Sequence, residues 1–277
     1  MRMSMVARVA AAGALLTILA GCSGSGDKSA TPTFVSPSAA GGTSPATEST
    51  TQESAARQAL PAALRHRVPT FTEQAPAPTK VTLPPGPKAP NFARIPTTEK
   101  IAFITIDDGW EKNPEALKLF QAANVPVTLF LEVNAIKDNP TFFTPLQGAG
   151  ATIQDHTITH PNMTHLSYDA QKHEICAGAD ELKKQYGKRP TLFRPPFGSY
   201  NDNTLRAVHD CGLKASFTWM ETTDKGIIRF QRPTHLIAPG DIILMHFRPA
   251  FIDDFLAVLN IIHKSGLTPA RLEDYIP

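Results

Sequence analysis

Apolar positions divide the chain into two unlike parts. From Ile101 to Ile276 they arrive in compact runs or at helical spacing, whereas between Ser23 and Thr97 they stand singly among Ser, Thr, Ala and Pro. A stretch without apolar periodicity buries no core, so a folded domain is expected over residues 99–277 and a disordered tether over 23–98. Within the domain, Ile101 to Ile106 is a continuous apolar run that ends in Asp107-Asp108-Gly109, the pattern of a parallel strand buried on both faces and opening into a loop. Pro114 to Ala123 then carries Leu117 and Phe120 at helical spacing, and Val125 to Leu131 reads as the next strand. The unit recurs. Ile175, Ala179 and Leu182 share a helix face before Thr191-Leu-Phe193, Leu205 and Val208 precede a strand from Leu213 to Trp219, and Ile242 to Met245 is followed by a helix from Ile252 to Lys264. Strands alternating with helices predict an α/β fold with a parallel sheet. Asp107, Asp108, His156, Arg194 and His246 all fall at the C-terminal ends of different predicted strands, which favours a (β/α) barrel over an open sheet with one switch point.

The first residues form a separate pattern. Arg2 and Arg8 precede or open an apolar run to Ala20 that is short for a bilayer span and reads as a signal peptide over residues 1–22. Its end, Leu19-Ala-Gly-Cys22, is similar to the lipobox of bacterial lipoproteins, in which the cysteine takes a diacylglyceryl group. The expectation is lipidation of Cys22, export, and a place on the outer face of the cell membrane; an ordinary signal peptide with a chance cysteine is the alternative. Pro84, Pro85, Pro87 and Pro90 stiffen the end of the tether towards polyproline extension.

Charge and cysteine content narrow the partners. A net charge of +2 with no basic stripe argues against nucleic acid, and no glycine-rich phosphate loop follows the first strand. With Cys22 assigned to the signal, Cys176 and Cys211 remain as an even pair that export allows to form a disulfide, although two free thiols on packed helices leave the same sequence. A monomer is expected.

The chemistry concentrates in two short stretches. His156-Thr-Ile-Thr-His160, if it is one helical turn, presents both imidazoles on one face to a single ion, with a carboxylate from Asp107 or Asp108 as third ligand. Two imidazoles and a carboxylate favour zinc, and cobalt or nickel fits the same donors. Adjacent aspartates at a buried strand end stay ionised only beside positive charge, which a cation and an arginine supply. Strand alternation lets one of them bind the ion while the other serves as a base.

Four motifs in order, Thr105-Ile-Asp-Asp-Gly109, His156-Thr-Ile-Thr-His160, Arg194-Pro-Pro-Phe-Gly198 and Ile242-Ile-Leu-Met-His246, resemble the polysaccharide deacetylases of carbohydrate esterase family four. The resemblance runs from about Lys100 to Tyr275 and implies a distorted (β/α) barrel. It implies Asp108, His156 and His160 as metal ligands, Asp107 as catalytic base, His246 as catalytic acid and Arg194 as the partner of Asp107. It also implies a backbone N–H near Phe197 as oxyanion donor. The implied activity is metal-dependent removal of acetyl groups from N-acetylated sugars of an envelope or extracellular polysaccharide. An O-acetyl esterase, or a carbohydrate-binding lipoprotein without turnover, is the competing reading. The chain departs from the pattern at Ile106, at Trp110 where proline is usual, and at Phe197 where tyrosine is common. The aspartate that usually follows a tryptophan and tunes the acid histidine has no clean match: Trp219-Met-Glu-Thr-Thr-Asp224 offers Asp224, or Glu221, or neither. Trp219 itself is read as core sooner than as a substrate platform.

Overall fold

A computed structural model describes residues 55–277. The signal peptide, Cys22 and the first part of the expected tether lie outside the described residues. Ten strands form one curled sheet in the order β1-β6-β5-β4-β3-β2-β9-β7-β8, with β10 paired to β2. They are β1 (Asn91–Phe92), β2 (Ile101–Asp108), β3 (Val127–Leu131), β4 (Ala151–Asp155), β5 (Leu192–Phe193), β6 (Ala215–Phe217), β7 (Glu221–Asp224), β8 (Ile227–Phe230), β9 (Ile242–His246) and β10 (Thr268–Pro269). The pairings between these strands are parallel except β7 with β8, a hairpin at one edge. The sheet is thus a mixed, curled half-barrel, and the expected barrel class holds.

The strand β2 explains why its sequence is apolar throughout. All eight residues are buried: Ile101 and Phe103 face the concave interior, while Ala102, Ile104 and Ile106 face the outer core against helices. The helices are α1 (Ala62–Arg65), α2 (Ala116–Ala123), α3 (Val133–Ile136), α4 (Thr144–Gly148), α5 (Tyr168–Tyr186), α6 (Asp202–Asp210) and α7 (Phe251–Lys264). Local capping sets their ends: the Ser167 hydroxyl accepts from Ala170 N–H at the start of α5, and Gly187 closes it at φ 81°. Asn201 and Thr204 form a reciprocal capping box on α6. Cys176 on α5 and Cys211 at the end of α6 form a disulfide. Among the described residues no helix is long and apolar enough to cross a membrane.

The tether expectation needs correction over the described part, residues 55–98. Leu60, Val68, Ala89 and Ile95 are buried, and β1 pairs in parallel with β6. Arg67 is ion-paired with Asp253 on α7 at 2.7 Å, and Val81 N–H donates to the Tyr275 carbonyl. The segment is a strap laid over the barrel. It needs no periodicity of its own, because each isolated apolar residue drops into a groove that the barrel has already built, and prolines suit the extended course between them.

Candidate active site

Because strand side chains alternate, Thr105 and Asp107 share the concave face of β2. Arg194, directly after β5, reaches across that interior: its Nη1 donates to Thr105 Oγ1 and to Asp107 Oδ1, each at 2.7 Å. Strands β4 and β3 stand between β5 and β2 in the sheet, so this bridge is made possible by the curl. The guanidinium is fully buried, donates further to the carbonyls of Phe217 and Thr218, and lies over the Phe130 ring at 4.3 Å. Asp107 is therefore fixed in place. Burial raises its pKa to about 6, against the lowering pull of Arg194.

Asp108 ends β2 at φ 73°, a strained value for a residue with a Cβ. Its Oδ1 lies 3.6 Å from His156 Nε2 and 3.5 Å from His160 Nε2, is buried, and has no hydrogen-bond partner among the described residues. His156 Nδ1 is 2.7 Å from the Arg194 carbonyl oxygen; a carbonyl only accepts, so Nδ1–H donates and the Nε2 lone pair is turned towards Asp108. The donor atoms of Asp108, His156 and His160 all lie within 4.8 Å of one another. An orphaned carboxylate oxygen facing two imidazole nitrogens, too far for hydrogen bonds, is the donor set of a divalent cation site, and these residues fit one. Gly109 makes the turn out of β2 possible at φ 119°; a Cβ there would meet Ile136 at 2.9 Å.

The two histidines meet by a route other than the expected helical turn. Residues 156–160 form a loop, with Thr157 at φ 72° and His160 at φ 56°. A helical turn would return the backbone N–H groups to its own carbonyls. Here carboxylates take them: Glu174 on α5 accepts from Ile158 N, Thr159 N and Thr159 Oγ1 at 2.9–3.0 Å, and Asp155 Oδ1 accepts from Thr157 N at 3.1 Å. Thr157 Oγ1 accepts from His160 N at 3.0 Å. Burial pushes the Asp155 carboxyl well above its ordinary range.

His246 ends β9 in register with Asp107 on β2. Burial first, then the charge of Arg248 and of the neighbouring His156, Arg194 and His160, lowers its pKa to about 3. Its Nδ1 is buried without a partner among the described residues; of the three open readings (Asp224, Glu221 or neither), this matches the last. Asp224 turns into the β7–β8 hairpin, where Arg229 lies 3.8 Å away, and Glu221 is committed to Arg232 at 3.4 Å. Phe197, at φ 60° in the turn after Arg194-Pro-Pro, sets its exposed ring edge-on to His160 with centroids 4.7 Å apart. Trp219 is half-buried beside the interior core, as expected.

One residue of the site was not foreseen. Glu132, next after β3, is 3 % exposed and accepts from Trp110 Nε1 at 3.1 Å. Burial and the nearby Asp108 raise its pKa to about 7. Its signal was available, since it follows an apolar strand in the same way that the aspartate pair does.

Residues 94–216 match the family model described as polysaccharide deacetylase, a stretch that holds Asp107, Asp108, His156, His160 and Arg194. An uncharacterised protein of Streptomyces coelicolor is 33% identical over 68% of this chain and 77% of its own length. The chain belongs to the polysaccharide deacetylase family. The peptidoglycan-N-acetylmuramic acid deacetylase PdaA of Bacillus subtilis is 28% identical to this deacetylase over 64% of the chain and 72% of that relative. Among solved structures, a family 4 carbohydrate esterase pseudoenzyme from Bacillus anthracis superposes with a TM-score of 0.60 at 22% identity, over 68% of this chain and 69% of that one, a likeness of fold alone. His246 lies beyond the matched stretch.

Proposed function

We propose that this deacetylase is a cation-dependent hydrolase that removes acetyl groups from N-acetylated sugars of the cell's own envelope glycan, held at the outer face of the membrane by a lipid on Cys22. The observation that carries the reading is the orphaned Asp108 Oδ1 between two imidazoles, one carboxylate away from the Arg194-locked Asp107. Asp108, His156 and His160 would hold the cation, with zinc favoured by the donors and cobalt or nickel compatible. Such a cation, when bound, polarises the acetyl carbonyl and acidifies water. Asp107 accepts the proton of the attacking water, and Arg194 keeps its carboxylate aimed at that proton. The main chain at Phe197 faces the developing oxyanion. His246 delivers a proton to the departing amine. Its burial keeps the ring neutral in the free site; as negative charge accumulates on the tetrahedral centre, the ring takes up from solvent the proton that it then passes to the amine.

The unpartnered Nδ1 of His246 favours a second reading, hydrolysis of an O-acetyl ester, because an alcohol leaves with less help from an acid than an amine does. The deciding experiment measures acetate released from N-acetylated chito-oligosaccharides, purified wall glycan and an O-acetylated glycan, with and without chelator. Release from the N-acetyl substrates that stops with chelator and returns with added zinc is expected; release from the O-acetyl glycan alone moves the assignment to an esterase.

A further inference from the structure

Trp110 is a large side chain at the strand ends that is held in place and yet left in solvent. Strands β2 and β3 are paired to their last residues, Asp108 with Leu131, so Trp110 and Glu132 stand just beyond two neighbouring strand ends. Glu132 N–H donates to the Asp108 carbonyl at 3.0 Å, and the next two residues, Val133 and Asn134, donate to the carbonyls of Thr157 and Ile158. The segment that carries Glu132 is thus tied to the main chain of Asp108 and to the loop between His156 and His160. From there Glu132 Oε2 accepts from the indole Nε1–H of Trp110 at 3.1 Å. The indole therefore lies across the rim from the end of β2 to the end of β3. The main chain beneath it is fixed as well. Lys112 Nζ donates to the carbonyls of Trp110 at 3.3 Å and Ala135 at 2.8 Å and pairs with Asp138, while Glu111 N–H donates to the Phe247 carbonyl at 3.3 Å.

Two features of this pair go unused in the folded chain alone. Trp110 remains 58 % exposed although its backbone and the far edge of its ring are both held, so the side chain has lost freedom without gaining burial. Glu132 is only 3 % exposed, and among the described residues the indole is the one hydrogen-bond donor to its carboxylate, which leaves Oε1 with none. A nearly buried carboxylate oxygen without a donor, beside a fixed and open aromatic face, matches the chemistry of a pyranose. Ring hydroxyls donate to a carboxylate, and the axial C–H bonds of an equatorially substituted ring present a slightly positive apolar face to the negative face of an indole. We propose that Trp110 and Glu132 form a sugar subsite: the indole stacks on the ring next to the acetylated residue, and Glu132 Oε1 accepts from a hydroxyl of that ring. The ligand class is a chain of equatorially substituted hexopyranoses with free hydroxyls. The proposal rests on the deacetylase reading above.

The test uses the cation-loaded protein with chitotetraose and with N-acetylglucosamine, which has no neighbouring ring. For the tetramer kcat/KM should exceed that for the single sugar, and Trp110→Ala should lower it by about 3–10-fold, the range of a ring-on-ring contact, with the loss in KM. The single sugar should change by less than about 2-fold, since it lacks the stacked ring. Glu132→Ala should raise KM for the tetramer as well. The double variant should lose less than the product of the two single losses, because part of the effect of Glu132 passes through the indole it holds. Cation content is measured on every variant. Loss of the cation in Trp110→Ala, an equal fall on both substrates, or independent losses in the double variant overturns the subsite. Indole emission supplies a readout apart from turnover: the chain has two tryptophans, and chitotetraose should shift the emission of the wild-type protein but not that of Trp110→Phe. If no acetate is released but this shift is present, the subsite stands and the reaction is misassigned. If acetate is released and the emission stays still, or moves equally in Trp110→Phe, the subsite falls and the reaction stands.

Discussion

The curled sheet encloses two polar clusters, and they are built on opposite terms. Lower in the barrel, Glu273 accepts from the hydroxyls of Thr128 and Thr152 and from Gln154 Nε2, while Gln154 Oε1 accepts from the N–H groups of Thr191 and Leu192 at 2.9 Å. There the buried polar atoms find partners, and Leu272 and Tyr275 on either side of Glu273 plug the interior. At the C-terminal strand ends, Asp108 Oδ1 and His246 Nδ1 are buried with none. Backbone strain follows the same division: of six described non-glycine residues at positive φ, Asp108, Thr157, His160 and Phe197 belong to the upper site. Burying a polar group is ordinary when it is paired, and leaving one unpaired costs about 1–3 kcal/mol. The lower cluster is explained by folding alone; in the upper one, unpaired atoms, strained backbone and two imidazoles converge on one point, which is what a bound cation would account for.

The sharpest way to break that contrast is to remove a donor that has nothing else to do. His160→Ala, and Asp108→Asn with it, should lose bound zinc and acetate release together, measured by metal analysis of the dialysed protein beside an activity assay. Full zinc content in either variant would remove the cation site from the upper cluster. A smaller effect, about 10²–10⁴-fold in rate with the cation retained, is expected for Asp107→Asn and for His246→Ala, because neither is a donor. An ester with a good leaving group should partly rescue His246→Ala, since it needs little protonation, and should rescue Asp107→Asn less. Equal rescue would show that the two proton carriers have been assigned the wrong way.

Much of the upper cluster was legible because its chemistry sits where periodicity stops. The aspartate pair was visible as charge at the end of an eight-residue strand buried on both faces, and Arg194 and His246 likewise follow apolar strands. The pairing of His156 with His160 was right in partners and wrong in geometry, since the loop is shaped by Glu174 and Asp155, and no local spacing announces which distant carboxylate will hold a backbone N–H. The choice among Asp224, Glu221 and neither stayed open because a hairpin, not a βα turn, follows β7, and spacing does not announce it. The strap from residue 55 to 98 was hidden for a different reason. Its order comes from the barrel's grooves, so isolated residues such as Leu60 and Ile95 carry the contact without any pattern among themselves.

A third buried acidic group tests whether unusual pKa values alone mark function. Glu221 lies fully buried next to Asp241, with Arg232 paired to both, and burial and Asp241 raise its pKa from 4.5 to about 8. A carboxyl whose pKa is higher in the folded than in the unfolded state contributes stability that is complete below the unfolded value and is lost as pH rises through the folded one. Thermal stability should therefore decline between about pH 5 and 8, by on the order of a few kcal/mol, and Glu221→Gln should flatten that decline while leaving cation content unchanged. A variant whose melting curve keeps the wild-type pH dependence would assign the decline to another group.

The smallest expected effect lies in the lower cluster, and it decides whether the two regions are separable. Glu273→Ala leaves one buried and one half-buried hydroxyl and an amide without their shared acceptor, which should cost about 1–3 kcal/mol of unfolding free energy. Glu273→Gln keeps one oxygen for Gln154 and presents an amide to a threonine hydroxyl able to turn and accept, so its cost should fall below about 1 kcal/mol. Neither change should alter kcat/KM. The Gln154 carbonyl keeps its bonds to Thr191 and Leu192, and Arg194 is held by Phe217, Thr218, Thr105 and Asp107, none of which depends on Glu273. Denaturant unfolding beside acetate-release kinetics reads both quantities on the same preparation. If Glu273→Ala lowers the rate as far as Asp107→Asn while the protein remains folded, the lower cluster is part of the catalytic apparatus, and the two regions are not separable.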